Sequence, residues 1–135
     1  MDTRVRDISL MQSADATEDS WLRVCRPVLS HYGELVPRAD FSGKSVACFQ
    51  HIRSETPMIL LPLVRAGATV RIAAVNPDST DDAAAATLAR DGVEVWAWSG
   101  MTEEERRLGL EQLAGEPADA ISDICLLYTS PSPRD

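Results

Sequence analysis

Residues 69–98, TVRIAAVNPDSTDDAAAATLARDGVEVWAW, decide the fold class of this chain. Two short runs of β-branched and aromatic residues, TVRIAAV (69–75) and VEVWAW (93–98), lie on either side of the helix-forming segment DDAAAATLAR (81–90). Such runs are typical of strands. A strand, a helix and a second strand in this order predict parallel strand pairing through a right-handed crossover.

Capping signals mark two of the predicted helices. Ser79 with Asp82 approximates a capping box before the alanine-rich segment, and Gly92 is placed to end that helix. Thr102 with Glu105 forms a second capping box, which opens the segment EEERRLGLEQL. Both segments are therefore predicted to be helical.

The same strand and helix unit recurs on both sides of this stretch. SVACF (45–49) is the preceding strand-like run, and ADAIS (118–122) begins a fourth. The sequence therefore predicts an α/β fold. This is an open parallel sheet with flanking helices, Rossmann-like or flavodoxin-like, truncated after about four strands.

Two further segments are predicted to be helices. TPMILLPLVRAG (56–67) is apolar almost all round and carries Pro62 in its interior, so we expect a kinked helix buried on more than one side. It is either a central core helix or a surface for a neighbouring domain or subunit. Residues 19–36 predict one or two helices packed on the sheet, with Pro27 breaking or starting one.

Composition limits the possible partners and compartments. With 135 residues, the chain can bury one ordinary core, and its 13 Lys and Arg residues are scattered in a chain of net charge -8. This balance disfavours nucleic-acid binding. No apolar stretch has the length of a membrane span or a signal peptide, so a cytoplasmic location is the default expectation. The three cysteines have no metal-ligand spacing, so no metal is predicted.

Both ends of the chain differ from the segment between them. Residues 1–17 are predicted to be disordered, and residues 18–124 are predicted to form the folded part. Residues 125–135, CLLYTSPSPRD, are compatible on back-translation with a transposase library adapter. We therefore expect them to be a cloning or assembly scar on the N-terminal piece of a longer protein. The alternative is a natural tail rich in Ser and Pro.

Polar side chains follow three of the predicted strands. They are Gln50, His51, Arg53, Ser54 and Glu55 after the first strand, Asn76 and Ser79 after the second, and Asp123 after the fourth. Because the carboxyl ends of parallel strands meet at one edge of a sheet, these residues are predicted to form a ligand crevice. Taken singly, each is also explained by helix capping, an Asn-Pro turn or a solvated loop.

The block from Cys48 to Asp123 resembles the substrate-domain core of the S-adenosylhomocysteine hydrolase (adenosylhomocysteinase) family. That family has C-L-H-x-T-x-E-T, L-x-x-L-G-A-x-V, N-x-x-S-T-Q-D and G-x-x-V-x-A-W-K-G-E-T in this order. The corresponding segments here are CFQHIRSET, LVRAGATV, NPDSTDD and GVEVWAWSGMT, at nearly the same separations. The resemblance implies that residues 18–124 are a partial substrate-binding domain.

The resemblance also implies a chemistry. The family uses bound NAD to oxidise the ribose 3′-hydroxyl of S-adenosylhomocysteine, eliminates homocysteine, adds water and reduces the ketone to give adenosine. His51 matches the histidine beside the ribose and the sulfur, a position suited to proton transfer, and Asp123 matches one of the aspartates of D-D-G-x-D. Glu55 matches the acidic residue near adenine, while Asn76 and Ser79 match the cleft-lining segment.

Several ligand-facing positions depart from the family pattern. Arg53 stands where the family has a small threonine near the adenine, which adds charge and bulk at the base. The other departures are Asp81 for glutamine, Ser99 for lysine, Met101 for glutamate and Arg106 for tyrosine. With these departures, the resemblance implies that the substrate is S-adenosylhomocysteine or a related nucleoside thioether.

The sequence contains no G-x-G-x-x-G motif, so no residue here is predicted to bind NAD. The resemblance implies that a missing C-terminal domain binds NAD, that the full-length enzyme is a homo-oligomer and that this fragment is inactive. Two alternatives remain. One is a non-catalytic Rossmann-like module that binds a nucleotide or a protein, and the other is part of a different NAD-dependent enzyme, such as a 2-hydroxyacid dehydrogenase.

Overall fold

The computed structural model describes residues 1–10 and 24–123. It contains a sheet of five strands in the order β1-β4-β3-β2-β5, and every neighbouring pair is parallel. The strands are β1 (Arg4–Val5), β2 (Ser45–Gln50), β3 (Thr69–Ala74), β4 (Glu94–Ala97) and β5 (Ala120–Asp123). The predicted open parallel α/β fold is confirmed, and β2 to β5 coincide with the four predicted strands.

Helices connect the strands. They are α1 (Pro27–Leu35), α2 (Thr56–Arg65), α3 (Asp82–Arg90) and α4 (Glu103–Gly115), with short 3-10 turns at Ile8–Leu10, Val36–Arg38 and Pro77–Ser79. Pro27 occupies the first turn of α1, so of its two predicted roles, breaking or starting a helix, the second is confirmed. Among the residues that the structure describes, no helix is long and apolar enough to cross a membrane.

The helix caps agree with the sequence at three positions and disagree at one. Thr102 and Glu105 form the predicted capping box of α4, and Gly92 follows α3 with a positive φ of 97°. The predicted cap at Ser79 is wrong, because Ser79 lies in a 3-10 turn before the helix. Asp81 caps α3 instead and accepts hydrogen bonds from the two backbone N–H groups of Ala83 and Ala84.

The two faces of the sheet carry different helices. Helices α2 and α3 contact each other and one face of the sheet, with α1 packed on the outside of α2, whereas α4 packs on β2, β3 and β4. Helix α2 is thus enclosed by α1, α3 and β3, and its residues from Thr56 to Val64 are all buried or half-buried. Its predicted burial on more than one side is confirmed. The packing favours a central core helix.

The N-terminal residues differ from the prediction of disorder. Arg4 and Val5 pair in parallel with Trp96 and Ala97 of β4, and the Arg4 guanidinium lies 4.5 Å from the centroid of the Trp98 ring. Strand pairing and this cation–π contact order the segment. The prediction is therefore wrong for residues 1–10. Residues 11–17 and the predicted adapter-derived tail at 125–135 lie outside the described residues.

The chain reverses its direction across the sheet beside β2. It passes from β2 to β3 to β4 on one side, and then returns through α4 to β5 on the other side of β2. In open α/β sheets, such a switch point leaves a crevice at the carboxyl ends of the two diverging strands, and ligands bind there. The crevice is therefore expected between the ends of β2 and β5.

Candidate active site

The turn that follows β2 is held by the threonine at the start of α2. The Thr56 hydroxyl accepts a hydrogen bond from the backbone N–H of Arg53 at 2.9 Å and donates one to the backbone oxygen of His51 at 3.4 Å. Thr56 is 3% exposed. Because these bonds close the turn on itself, His51 and Arg53 leave the strand in a fixed backbone geometry. This role of Thr56 was not predicted, although its place just before Pro57 marks a helix start.

The turn that follows β3 is built around Asn76. The Asn76 side-chain oxygen accepts from the backbone N–H of Asp78 at 3.0 Å, and its backbone oxygen accepts from the Thr80 hydroxyl at 3.0 Å. The backbone N–H of Asp81 then donates to the backbone oxygen of Ile52 at 3.0 Å. This last bond joins the two turns, so their side chains keep one relative position.

A hydrogen bond connects two of the predicted site residues. The Nδ1 atom of His51 lies 2.6 Å from the Ser79 hydroxyl oxygen, and the Ser79 hydroxyl lies 3.3 Å from the backbone oxygen of Asn76. His51 and Ser79 are half-buried. The imidazole at the end of β2 is therefore held from the end of β3, at the edge where the sequence predicted a crevice.

The two residues that were assigned to the base end of the site do not pair with each other. Arg53 is exposed, and in the described part of the chain its guanidinium forms no ion pair. Glu55 is half-buried at the N-cap of α2, and its carboxylate accepts from the Ser54 hydroxyl at 3.2 Å. Both charges therefore remain available to a ligand.

Asp123 is the last residue of β5 and is exposed. In the strand register it lies opposite Phe49, two residues before His51 along β2. His51 and Asp123 thus follow the two strands that diverge at the switch point. Asn76, in contrast, is exposed and uses its side-chain oxygen within its own turn.

A second polar cluster at the same edge of the sheet was not predicted. The Asp82 carboxylate accepts from the backbone N–H of Ser99 at 2.7 Å, from the Ser99 hydroxyl at 2.5 Å and from Arg6 at 3.2 Å. Burial alone would raise the pKa of Asp82, but the hydrogen bonds from Ser99 and Arg6 outweigh it and hold the pKa below its ordinary value. The only sequence signal was that Ser99 replaces the family lysine.

The turn after β2 lacks the features of a dinucleotide-binding turn, and the part of the chain that the structure describes offers no cluster for a metal ion. A dinucleotide-binding turn needs glycines so that the backbone can approach the pyrophosphate. The turn after β2 has none between Gln50 and Thr56, and the Ile52 side chain is fully buried there. The residues of this turn thus do not fit the pyrophosphate of NAD. Within residues 1–10 and 24–123, no group of His, Cys, Asp and Glu could hold a metal ion.

Comparisons with known proteins agree with one another. The model of the S-adenosyl-L-homocysteine hydrolase family matches residues 17–126. Adenosylhomocysteinase of Aeropyrum pernix is 36% identical over 121 residues, which cover 89% of this chain and 29% of that protein. S-inosyl-L-homocysteine hydrolase of Methanopyrus kandleri is 35% identical over 121 residues, which cover 88% of this chain and 28% of that protein. Adenosylhomocysteinase of Thermococcus kodakarensis is 40% identical over 102 residues, which cover 75% of this chain and 24% of that protein. The chain therefore spans between 24% and 29% of the length of these relatives.

Proposed function

The chain belongs to the S-adenosyl-L-homocysteine hydrolase family, and on this premise we propose that it forms the substrate-binding part of a nucleoside thioether hydrolase. In the proposed reaction, water and S-adenosyl-L-homocysteine give adenosine and L-homocysteine. The observation that carries the proposal is the hydrogen-bonded pair of His51 and Ser79 beside the switch point. An imidazole held at this edge is suited to moving a proton at a bound ligand.

The remaining residues are assigned by their chemistry. His51 transfers a proton near the ribose and the sulfur, and Asp123 faces it as the second catalytic group from the other side of the switch point. Glu55 accepts a hydrogen bond from the base. Asn76 and Ser79 line the wall between them. The exposure of Asp123 and the half-burial of His51 and Glu55 support this assignment.

The base that the site prefers depends on Arg53. An arginine presents only donors, so Arg53 can pair with a ring nitrogen or a carbonyl oxygen of a base but not with the adenine amine. Glu55 can accept from that amine. Since Arg53 and Glu55 do not neutralise each other, we propose that the site accepts S-adenosylhomocysteine, and that Arg53 also admits a hypoxanthine base as in S-inosylhomocysteine.

The rest of the enzyme is proposed to resemble the longer relatives. Adenosylhomocysteinases use NAD, and we propose that a C-terminal domain outside this chain binds it, because the turn after β2 lacks the glycines. Three further properties stay predictions. The protein is cytoplasmic, the full-length enzyme is a homo-oligomer, and the 135-residue chain alone is inactive.

The test is an assay of the product of the native gene on both thioethers, with release of homocysteine measured as free thiol. We expect thiol release from at least one of them, and none from the 135-residue chain. Replacing Arg53 by threonine should change the ratio of kcat/KM for the two thioethers by at least about tenfold. A folded gene product that releases thiol from neither substrate would refute the proposed function. An unchanged ratio would refute only the role of Arg53.

A further inference from the structure

Gln50 is the last residue of β2 and lies beside the switch point of the sheet. It is 5% exposed, yet its side-chain amide forms no hydrogen bond within the part of the chain that the structure describes. In residues 1–10 and 24–123, Nε of Arg71 is the one side-chain nitrogen or oxygen that is both fully buried and unbonded. The polar tip of Gln50 therefore keeps contact with solvent, and it lacks the protein partner that a buried amide normally has.

The strand register shows on which side of the sheet this amide lies. Arg71 is opposite Ala47, and its side chain pairs with Glu116 at the C-cap of α4. Because side chains alternate along a strand, Ala47 faces α4 and Gln50 faces the opposite layer, which contains α1, α2 and α3. Helix α2 begins in that layer with Glu55 at its N-cap. The amide thus lies on the side of the sheet to which the turn ending at Glu55 leads.

The amide is not needed for packing at this position. The residue before the histidine of C-L-H-x-T-x-E-T is leucine, whereas Gln50 precedes His51 here. A leucine side chain fills space and offers no hydrogen bond. The donor and the acceptor of Gln50 are therefore an addition at the carboxyl edge of the sheet, where ligands bind in open α/β folds.

We propose that Gln50 is a substrate-binding residue whose amide pairs with the base of the nucleoside thioether, at the edge formed by N1 and the substituent on C6. This inference rests on the proposed function and extends its base end. Adenine has an acceptor at N1 and a donor at its amine, whereas hypoxanthine has a donor at N1 and an acceptor at its carbonyl oxygen. Because an amide carries a donor and an acceptor side by side, a turn of about 180° matches it to either base. Gln50 therefore binds both bases, and Arg53 discriminates between them.

Two features favour the base over the ribose hydroxyl groups. The amide lies in the layer that contains Glu55, which is assigned to the base. Its two polar atoms are coplanar, and they match a planar edge that presents one donor and one acceptor. Gln50 does not compete with the other two residues at the base. The adenine amine has a second proton for Glu55, and the hypoxanthine oxygen has a second lone pair for Arg53.

The first test is urea unfolding of the 135-residue chain without substrate. Gln50→Leu and Gln50→Met replace the amide by apolar groups of similar size. Since no hydrogen bond within the described residues is lost, the midpoint of unfolding should stay the same or rise. Gln112→Met removes a half-buried amide from α4 and is the matched control. A midpoint that falls in both Gln50 variants but not in this control would show that the fold holds the amide, and would overturn the proposal.

The second test measures kcat/KM of the native gene product for the adenosyl and inosyl thioethers. Gln50→Leu and Gln50→Met should each lower kcat/KM by at least about tenfold for both substrates, the loss expected for two hydrogen bonds. The ratio between the substrates should stay within about threefold of wild type, in contrast to Arg53→Thr. Gln112→Met should change neither value.

A thioether of purine riboside, which has no substituent on C6, tests the contact from the side of the substrate. Gln50→Met should lower kcat/KM less for this analogue than for the adenosyl thioether, and an equal loss would show that the amide contacts another part of the substrate. Unchanged kcat/KM in both Gln50 variants would overturn the role of Gln50 and leave the proposed function intact. A loss confined to one of the two natural bases would overturn the claim that the amide binds both. If the wild-type gene product releases thiol from neither thioether, the proposed function fails and the role of Gln50 fails with it.

Discussion

The amino and carboxyl ends of the sheet carry charges that are used in different ways. At the amino end, Arg71 is 3% exposed, pairs with the carboxylate of Glu116 and donates to the backbone oxygen of Pro117 at 2.7 Å. At the carboxyl end, Arg53 is exposed and forms no ion pair in the described part of the chain. The charge of Arg71 at the amino end therefore stabilises the fold, whereas the charge of Arg53 at the carboxyl end is available for a ligand.

The largest effect is expected at the carboxyl end. His51→Asn in the product of the native gene should lower kcat by about 10²- to 10⁴-fold, which is the usual contribution of a general acid or base. The free energy of unfolding, measured with urea, should change by less than about 1.5 kcal/mol, because the side chain is half-buried and a hydrogen bond such as that to Ser79 contributes about 0.5 to 1.5 kcal/mol net. If the free energy of unfolding falls while kcat is retained, the role of His51 is structural, like that of Arg71 at the amino end of the sheet, and not catalytic.

A smaller effect is expected at the amino end. Arg71→Met should lower the free energy of unfolding by about 2 kcal/mol. Loss of a buried charge partner costs about 3 to 5 kcal/mol, but the Glu116 side chain is 46% exposed and water compensates it in part. Urea unfolding of the 135-residue chain measures the change.

Arg107→Met is the matched control for this prediction. The pair between Arg107 and Glu111 has partners that are 58% and 57% exposed, so its loss should cost less than about 0.5 kcal/mol. If Arg71→Met and Arg107→Met lower the free energy of unfolding equally, the burial of Arg71 adds nothing to stability. The contrast between the two ends would then lose its energetic basis.

Asp81 provides a third comparison, because it is a structural residue at the carboxyl end. Asp81→Ala should lower the free energy of unfolding by about 1 kcal/mol, since its carboxylate caps two N–H groups of α3. Asp78→Ala removes an exposed carboxylate from the same turn and should stay within about 0.5 kcal/mol of wild type. A cost for Asp78 as large as that for Asp81 would contradict the capping role. Thermal or urea unfolding of the two variants decides this.

The sequence predicted the central part of the fold because its signals there are local. The runs that form β2, β3 and β4 are rich in β-branched and aromatic residues, and the capping box at Thr102 determines where α4 begins. Strand β1 could not be predicted, since Arg4 and Val5 are too short a run to show alternation. Their pairing depends on β4, far away in the sequence.

Long-range contacts also explain the other differences. Arg71 lies within an apolar run, and its burial is possible only because Glu116 and Pro117 supply acceptors from the end of α4. Gly109 is required because a Cβ atom there would lie 2.2 Å from the ring of Trp96. Neither of these two long-range contacts can be read from a local sequence pattern.

The candidate site was predicted as a set of residues but not as a geometry. The residues that follow β2, β3 and β5 were identified because strand ends converge in a parallel sheet. The hydrogen bond between His51 and Ser79 depends on how the Pro77–Ser79 turn is placed, and no local pattern predicts that. The choice of Asp81 over Ser79 as the cap of α3 depends on the same turn.

The smallest expected effect is a pH dependence at the amino end of the sheet. The backbone N–H of Ser45 donates to the Asp119 carboxylate at 2.8 Å, and Lys44 pairs with it at 3.1 Å. These contacts, the Ser45 bond first, hold the pKa of Asp119 below its ordinary value of 3.8. A carboxyl group with a lowered pKa in the folded state stabilises the fold above its ordinary pKa. This stabilisation is lost as the pH falls through the lower, folded-state value.

The unfolding temperature of wild type should therefore exceed that of Asp119→Asn at pH 6, and the difference should shrink as the pH is lowered to 3. The pKa of Glu116 is also lowered, by its hydrogen bond to the N-terminal amine, so Glu116 stabilises wild type and Asp119→Asn less as the pH falls. Its effect cancels in the difference between the two proteins. Asp78→Asn controls for the loss of a negative charge at an exposed position. A difference between wild type and Asp119→Asn that stays constant down to pH 3 would show that Asp119 acts only by hydrogen-bond geometry. In that case the asparagine amide would fail to form the hydrogen bonds of the Asp119 carboxylate at every pH.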